Sequence, residues 1–80
     1  MEYYLLKFFV KHKITKKNPR RAAFFTRRLG KSIFGALHFL RNAKVIDYFW
    51  HDNVKYYYVT DMRRAKRWLK LKKPKVIMRF

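Results

Sequence analysis

The chain of 80 residues has no cysteine, a single serine, two glycines, two prolines and only four acids. Each scarcity removes a class of protein. Without cysteine there is no disulfide framework, no thiolate nucleophile and no cysteine-held zinc. Glu2, Asp47, Asp52 and Asp61 are scattered, and one serine offers no partner for a base. No nucleophile–base pair or pair of carboxylates falls at a recognisable spacing, so an enzyme is not expected. His12, His38 and His51 also stand far apart, without carboxylates at ligand spacing, so neither a metal nor another cofactor is expected. No apolar run approaches the roughly 18 residues that span a bilayer. An acid at position 2 and lysine within the first apolar run do not fit a secretory signal, which points to the cytoplasm. No repeat, low-complexity segment or interdomain linker divides the chain, and its length supports one core.

What is present is positive charge. Twenty-two lysines and arginines give a net charge of +18, while half of the residues are hydrophobic and 20% aromatic. Such a chain is no disordered basic tail. Its like charges repel in the compact state unless a polyanion is near. Nucleic acid is the first candidate and an anionic membrane surface the second. The absence of glutamine beside many Lys and Arg leans towards a hot environment, although glutamate is scarce as well.

The central stretch is residues 29–42. At about 100° per residue, Ile33, Phe34, Leu37 and Leu40 share one arc of a helix and call for a core. Lys31, Ser32, Gly35, His38, Phe39 and Asn42 form the other arc, a small, hydrogen-bonding, partly cationic surface. Residues 2–12 read as a helix with Leu5, Phe8, Phe9 and His12 on one face and Leu6 at its border, though their aromatic density also suits a strand. Ile14 and Thr15 suit a short strand. Asn18-Pro19 is a helix start signal, with asparagine capping and proline first. A second helix is therefore expected from Pro19 to about Leu29, with Ala22, Phe25 and Leu29 inward and Arg20, Phe24 and Arg27 outward. Gly30 tolerates positive φ and ends it. Residues 45–50 and 55–60 are β-branched and aromatic about the turn formers Asp52 and Asn53, which predicts a hairpin. Asp61 caps a fourth helix, with Met62, Ala65, Trp68 and Leu69 inward and Arg63, Lys66, Arg67 and Lys70 outward. Lys72-Lys73-Pro74-Lys75 stops it, and the tail is apolar enough to pack back or to pair with another chain.

Helix, short strand, helix, turn, helix, hairpin, helix is the order of a winged helix-turn-helix domain. Phe25, Leu29-Gly30 and Lys31-Ser32 resemble the end of that family's second helix and its turn. Leu37, Leu40 and Val45-Ile46 resemble its recognition helix leading into the first wing strand, and residues 57–61 resemble the second wing strand entering the last helix. The resemblance implies an α+β fold, a three-helix core with a β-hairpin wing and a C-terminal helix over residues 1–72, followed by a basic and apolar tail, 73–80. Small winged-helix proteins of archaea and their viruses are similar in size and basicity, which implies a nucleoid-associated place or a host cytoplasm. Lys44 stands where the family often has glycine between helix and wing.

The resemblance also implies double-stranded DNA as the partner and a transcriptional regulator as the role. Lys31, Ser32, Gly35, His38, Phe39 and Asn42 would then enter a major groove, while His51, Asn53 and Lys55 meet a flanking phosphate or minor groove. From charge alone, Lys16, Lys17, Arg20, Arg21, Arg27, Arg28, Lys31, Arg41 and Lys55 are candidates for phosphate contact. Only Lys31, Ser32, His38 and Asn42 suit base edges, a thin set that implies modest specificity. The alternatives are an architectural chromatin protein or an RNA- or ribosome-associated one, in which backbone contacts dominate. Sixteen aromatics exceed what one small core needs; Tyr3, Tyr4, Phe24, Phe39, Tyr56 and Tyr58, expected to be partly exposed, suit a homodimer seam, stacking on unpaired bases or cover for basic side-chain stems. A membrane-surface peptide would not need a cored hairpin.

Overall fold

A two-residue turn organises the sheet. Asp52 and Asn53 both adopt positive φ, 50° and 64°, the backbone pattern of a type I′ turn, whose twist matches that of paired strands. Around this turn the computed structural model, which describes residues 1–72, pairs β2 (Ile46–His51) with β3 (Val54–Val59). The rest of the α+β fold consists of α1 (Glu2–Lys11), β1 (Arg20–Arg21), α2 (Ala22–Leu29), α3 (Ile33–Asn42) and α4 (Met62–Leu71). The sheet is three-stranded, antiparallel and ordered β1-β3-β2. The expected tail at 73–80, including the stop at Lys73-Pro74, lies outside the described residues.

Alternation divides the hairpin into two faces. Ile46 lies opposite Val59, Tyr48 opposite Tyr57 and Trp50 opposite Lys55 on one face; Asp47, Phe49, Tyr56 and Tyr58 belong to the other. Ile46, Tyr57 and Val59 are buried against the helices. They join a core of Leu5, Leu6 and Phe9 from α1, Phe25 from α2, Ile33, Ala36, Leu37 and Leu40 from α3, and Ala65 from α4. Phe9 and Phe25 stack at its centre, with ring centroids 4.6 Å apart and planes 18° from parallel. Burial of each ring contributes about 1.5–3 kcal/mol. Ile14, fully buried, accepts the Val59 N–H through its carbonyl at 2.8 Å, and Thr15 forms a parallel bridge to the same strand.

Local chemistry sets the end of α2 and the start of α4. Gly30, at φ 86°, ends α2, its N–H bonding to the Thr26 carbonyl at 3.0 Å. The Asp61 carboxylate accepts the N–H groups of Arg63 at 3.0 Å and Arg64 at 3.4 Å and so caps α4. In the first turn of α1, the Glu2 carboxyl is held below its usual range, chiefly by its own backbone N–H.

Several expectations need correction. The second helix starts at Ala22, not Pro19, because Arg20 and Arg21 are drawn into the sheet opposite Tyr57 and Tyr56. The Asn18 side chain does not cap it; its carbonyl oxygen instead accepts from Arg20 Nη1 at 2.6 Å. Leu6 is central to the core rather than at its border; His12, as its place at the edge of that helix face implies, is half-buried, against Phe8 at 4.3 Å between centroids. Phe24 does not point away but packs on Phe8 and Phe25, at 5.6 and 5.7 Å. Phe34 leaves the core, with 52% of its surface exposed, and Ala36 takes its place. Ser32 precedes α3, yet its hydroxyl makes no capping bond.

Candidate nucleic-acid interface

Three residues, Gly30 to Ser32, separate α2 from α3. They leave α3 with its apolar side in the core and its other side open. Lys31, Ser32, Gly35, His38, Phe39 and Asn42 are all exposed, as is Arg41. Phe34 joins this outer surface, so the outward face carries two large apolar rings among its polar groups. Gly35 lies in open space: a Cβ added there would meet no heavy atom within 4 Å.

Beside this face the hairpin closes one wall of a groove of about 360 Å³. Phe34, His38 and Arg41 line it from α3, and Tyr48, Lys55 and Tyr57 from the strands. The Tyr48 ring is its electrostatic anchor. Arg41 holds its guanidinium carbon 4.5 Å from the ring centroid, and Lys55 holds Nζ at 4.0 Å. Lys55 Nζ also lies 5.5 Å from the Trp50 ring and 5.6 Å from that of Tyr57. A cation over an aromatic face is attracted by the ring quadrupole and loses little of its own donor capacity. Asp47 steadies the arrangement, accepting the Tyr48 N–H at 2.7 Å and lying 3.5 Å from Arg41 Nε. Among the described residues, Arg41 is the only lysine or arginine in ion-pair contact with a carboxylate. The groove therefore offers three basic side chains, two of them fixed in direction, on an aromatic floor.

The other expected contact residues do not gather here. His51 and Asn53 are exposed at the hairpin tip, and His51 Nε2 lies 3.3 Å from an Asp52 oxygen. Lys55 faces α3 rather than the tip. Arg20 and Arg28 flank Phe24, 5.2 and 5.4 Å from its centroid, and Arg27 lines a hollow with Arg20 and Arg21. Asn42 faces another hollow, lined also by Lys44 and Thr60. The exposed residues Arg63, Lys66, Arg67 and Lys70 form the outer stripe of α4. Phe34, Tyr48 and Trp50 were not among the expected contacts. The spacing Phe34, His38, Arg41 is a row of i, i+4, i+7 on one helix face, and strand alternation sets Tyr48, Trp50 and Lys55 on one side. Read together, these two periods carry the signal for the groove.

These features define a small, strongly basic α+β protein with a cationic, aromatic-floored groove between a helix and a hairpin. Compared with models of known families, with curated proteins and with solved structures, the chain finds no match.

Proposed function

We propose that the protein is a winged helix-turn-helix protein that binds double-stranded DNA and acts as a transcriptional regulator. In this reading α3 enters the major groove, and the hairpin is the wing on the adjoining backbone. The observation that carries it is the convergence of His38 and Arg41 from α3 with Lys55 from the hairpin. The three-residue, glycine-containing turn between α2 and α3 supports the same reading, since helix-turn-helix motifs use short turns of this kind. Phosphates would meet Lys31, Arg41 and Lys55, with Arg20, Arg27 and Arg28 reaching the flank; Ser32, His38 and Asn42 would meet base edges.

The test is duplex binding by fluorescence anisotropy across a salt series. With about 6–10 phosphate contacts, affinity should fall roughly 10³- to 10⁵-fold between about 50 and 200 mM salt. Lys55→Ala should weaken binding to every duplex and lower the salt slope by about one, without unfolding the protein. Unchanged affinity in that variant would take the hairpin out of the interface. A second reading, a non-specific architectural protein, is favoured by the few base-reading side chains on α3. Equal affinity for random and selected duplexes would decide for it, and preference for structured RNA would displace both.

A further inference from the structure

The hairpin has a second face, turned away from the groove. Phe49 and Tyr56 are cross-strand partners there, with ring centroids 5.7 Å apart and planes only 20° from parallel. The Tyr58 ring continues the row 5.9 Å from Phe49. Pro19, Phe49, His51 and Tyr56 line a shallow, largely apolar slot of about 280 Å³. Pro19 and Tyr56 also border a neighbouring hollow of similar size that holds Arg20, Arg21 and Arg27. The Arg20 guanidinium is tied down by the Asn18 side chain at 2.6 Å and the Pro19 carbonyl at 3.1 Å. Arg21 and Arg27 are exposed and, among the described residues, make no ion pair with a carboxylate. No acid lines either depression.

A flat apolar slot joined to an arginine hollow matches the two halves of a nucleotide. We propose that this face binds single-stranded nucleic acid, an unpaired base lying against Phe49 and Tyr56 while its phosphate meets Arg21 and Arg27. Every base has a π-face, so such a platform tolerates any sequence, and a cationic groove beside stacked aromatics is the usual chemistry of strand binding. Charge argues against a second copy of the chain as the occupant: a two-fold contact would press the Arg21 and Arg27 clusters of both copies towards each other without a carboxylate between them. Phe49 and Tyr56 are half-buried, which leaves little side chain to insert into acyl chains. The aromatic slot lies on the hairpin face opposite the duplex groove; of its two phosphate contacts only Arg27 also belongs to the duplex flank, so Phe49 and Tyr56 separate the two sites.

The experiment compares a labelled oligo-dT strand with a blunt duplex as probes, using the full chain. The double variant Phe49→Leu with Tyr56→Leu keeps apolar bulk but removes the stacking rings. It should weaken oligo-dT binding about tenfold to hundredfold and leave duplex binding unchanged, while Tyr56→Phe keeps both. Lys55→Ala should do the reverse, weakening duplex binding and leaving oligo-dT binding unchanged. Photocrosslinking of a 4-thiothymidine strand to the wild-type chain reads the site without any variant and should map to Phe49 or Tyr56. Crosslinks confined to α3, unaltered strand binding in the double variant of melting temperature equal to wild type, or stronger binding to phosphatidylserine vesicles than to the strand would each overturn the proposal.

Discussion

An alanine at position 35 would find open space around its methyl group and a helix that gains from it. Gly35→Ala should stabilise the free protein by about 0.5–1 kcal/mol, measured by urea unfolding. The same variant should lose duplex affinity, because that methyl group would stand where a sugar-phosphate backbone approaches α3. A variant both steadier and equally good at binding would move the duplex off this face. Lys44 raises the converse matter. It adopts φ 63°, a region that suits glycine. The chain reverses at this point without glycine, held by the Thr60 hydroxyl, which donates to the Lys44 carbonyl at 3.0 Å.

At the level of elements, what could be read from the chain was what neighbours in sequence decide. The hairpin depends on Asp52 and Asn53, and the start of α4 depends on Asp61 reaching two and three residues ahead. Asp61→Ala should therefore lower stability by about 0.5–2 kcal/mol, seen as an earlier thermal midpoint with duplex affinity retained once folded. Distant partners decided the rest. Asn18-Pro19 carries a sound local signal for a helix, yet the following two residues belong to the sheet because β3 lies beside them. Phe34 satisfies the helical period of a core residue, but the hairpin does not close over that arc, and Tyr48 meets two cations there instead. The polar part of the candidate site, Lys31, Ser32, His38 and Asn42 on the open side of α3, could thus be drawn from a helical wheel. The aromatic part could not, since it exists only where strand and helix meet.

For the molecule as a whole, self-repulsion is the dominant electrostatic fact. The net charge is +18, and the few carboxylates of the described residues relieve one basic side chain, Arg41, by direct contact. Raising ionic strength, or adding a polyanion such as heparin, should raise the melting temperature; calorimetry at low and high salt checks this, and a midpoint insensitive to salt would mean that the cations are too dispersed to oppose folding. The two-residue strand β1 has a bearing of another kind. It covers the margin of β3 at Tyr56 and Tyr57, and the bridge from Thr15 covers it at Val59. Without these two short patches, a tyrosine-rich ribbon would present bare amides and carbonyls to any similar ribbon, the composition from which cross-β fibres are seeded. The arginine pair is thus also a cover for one edge of the hairpin, and prolines at positions 20 and 21 should raise thioflavin-detected self-association by baring that edge.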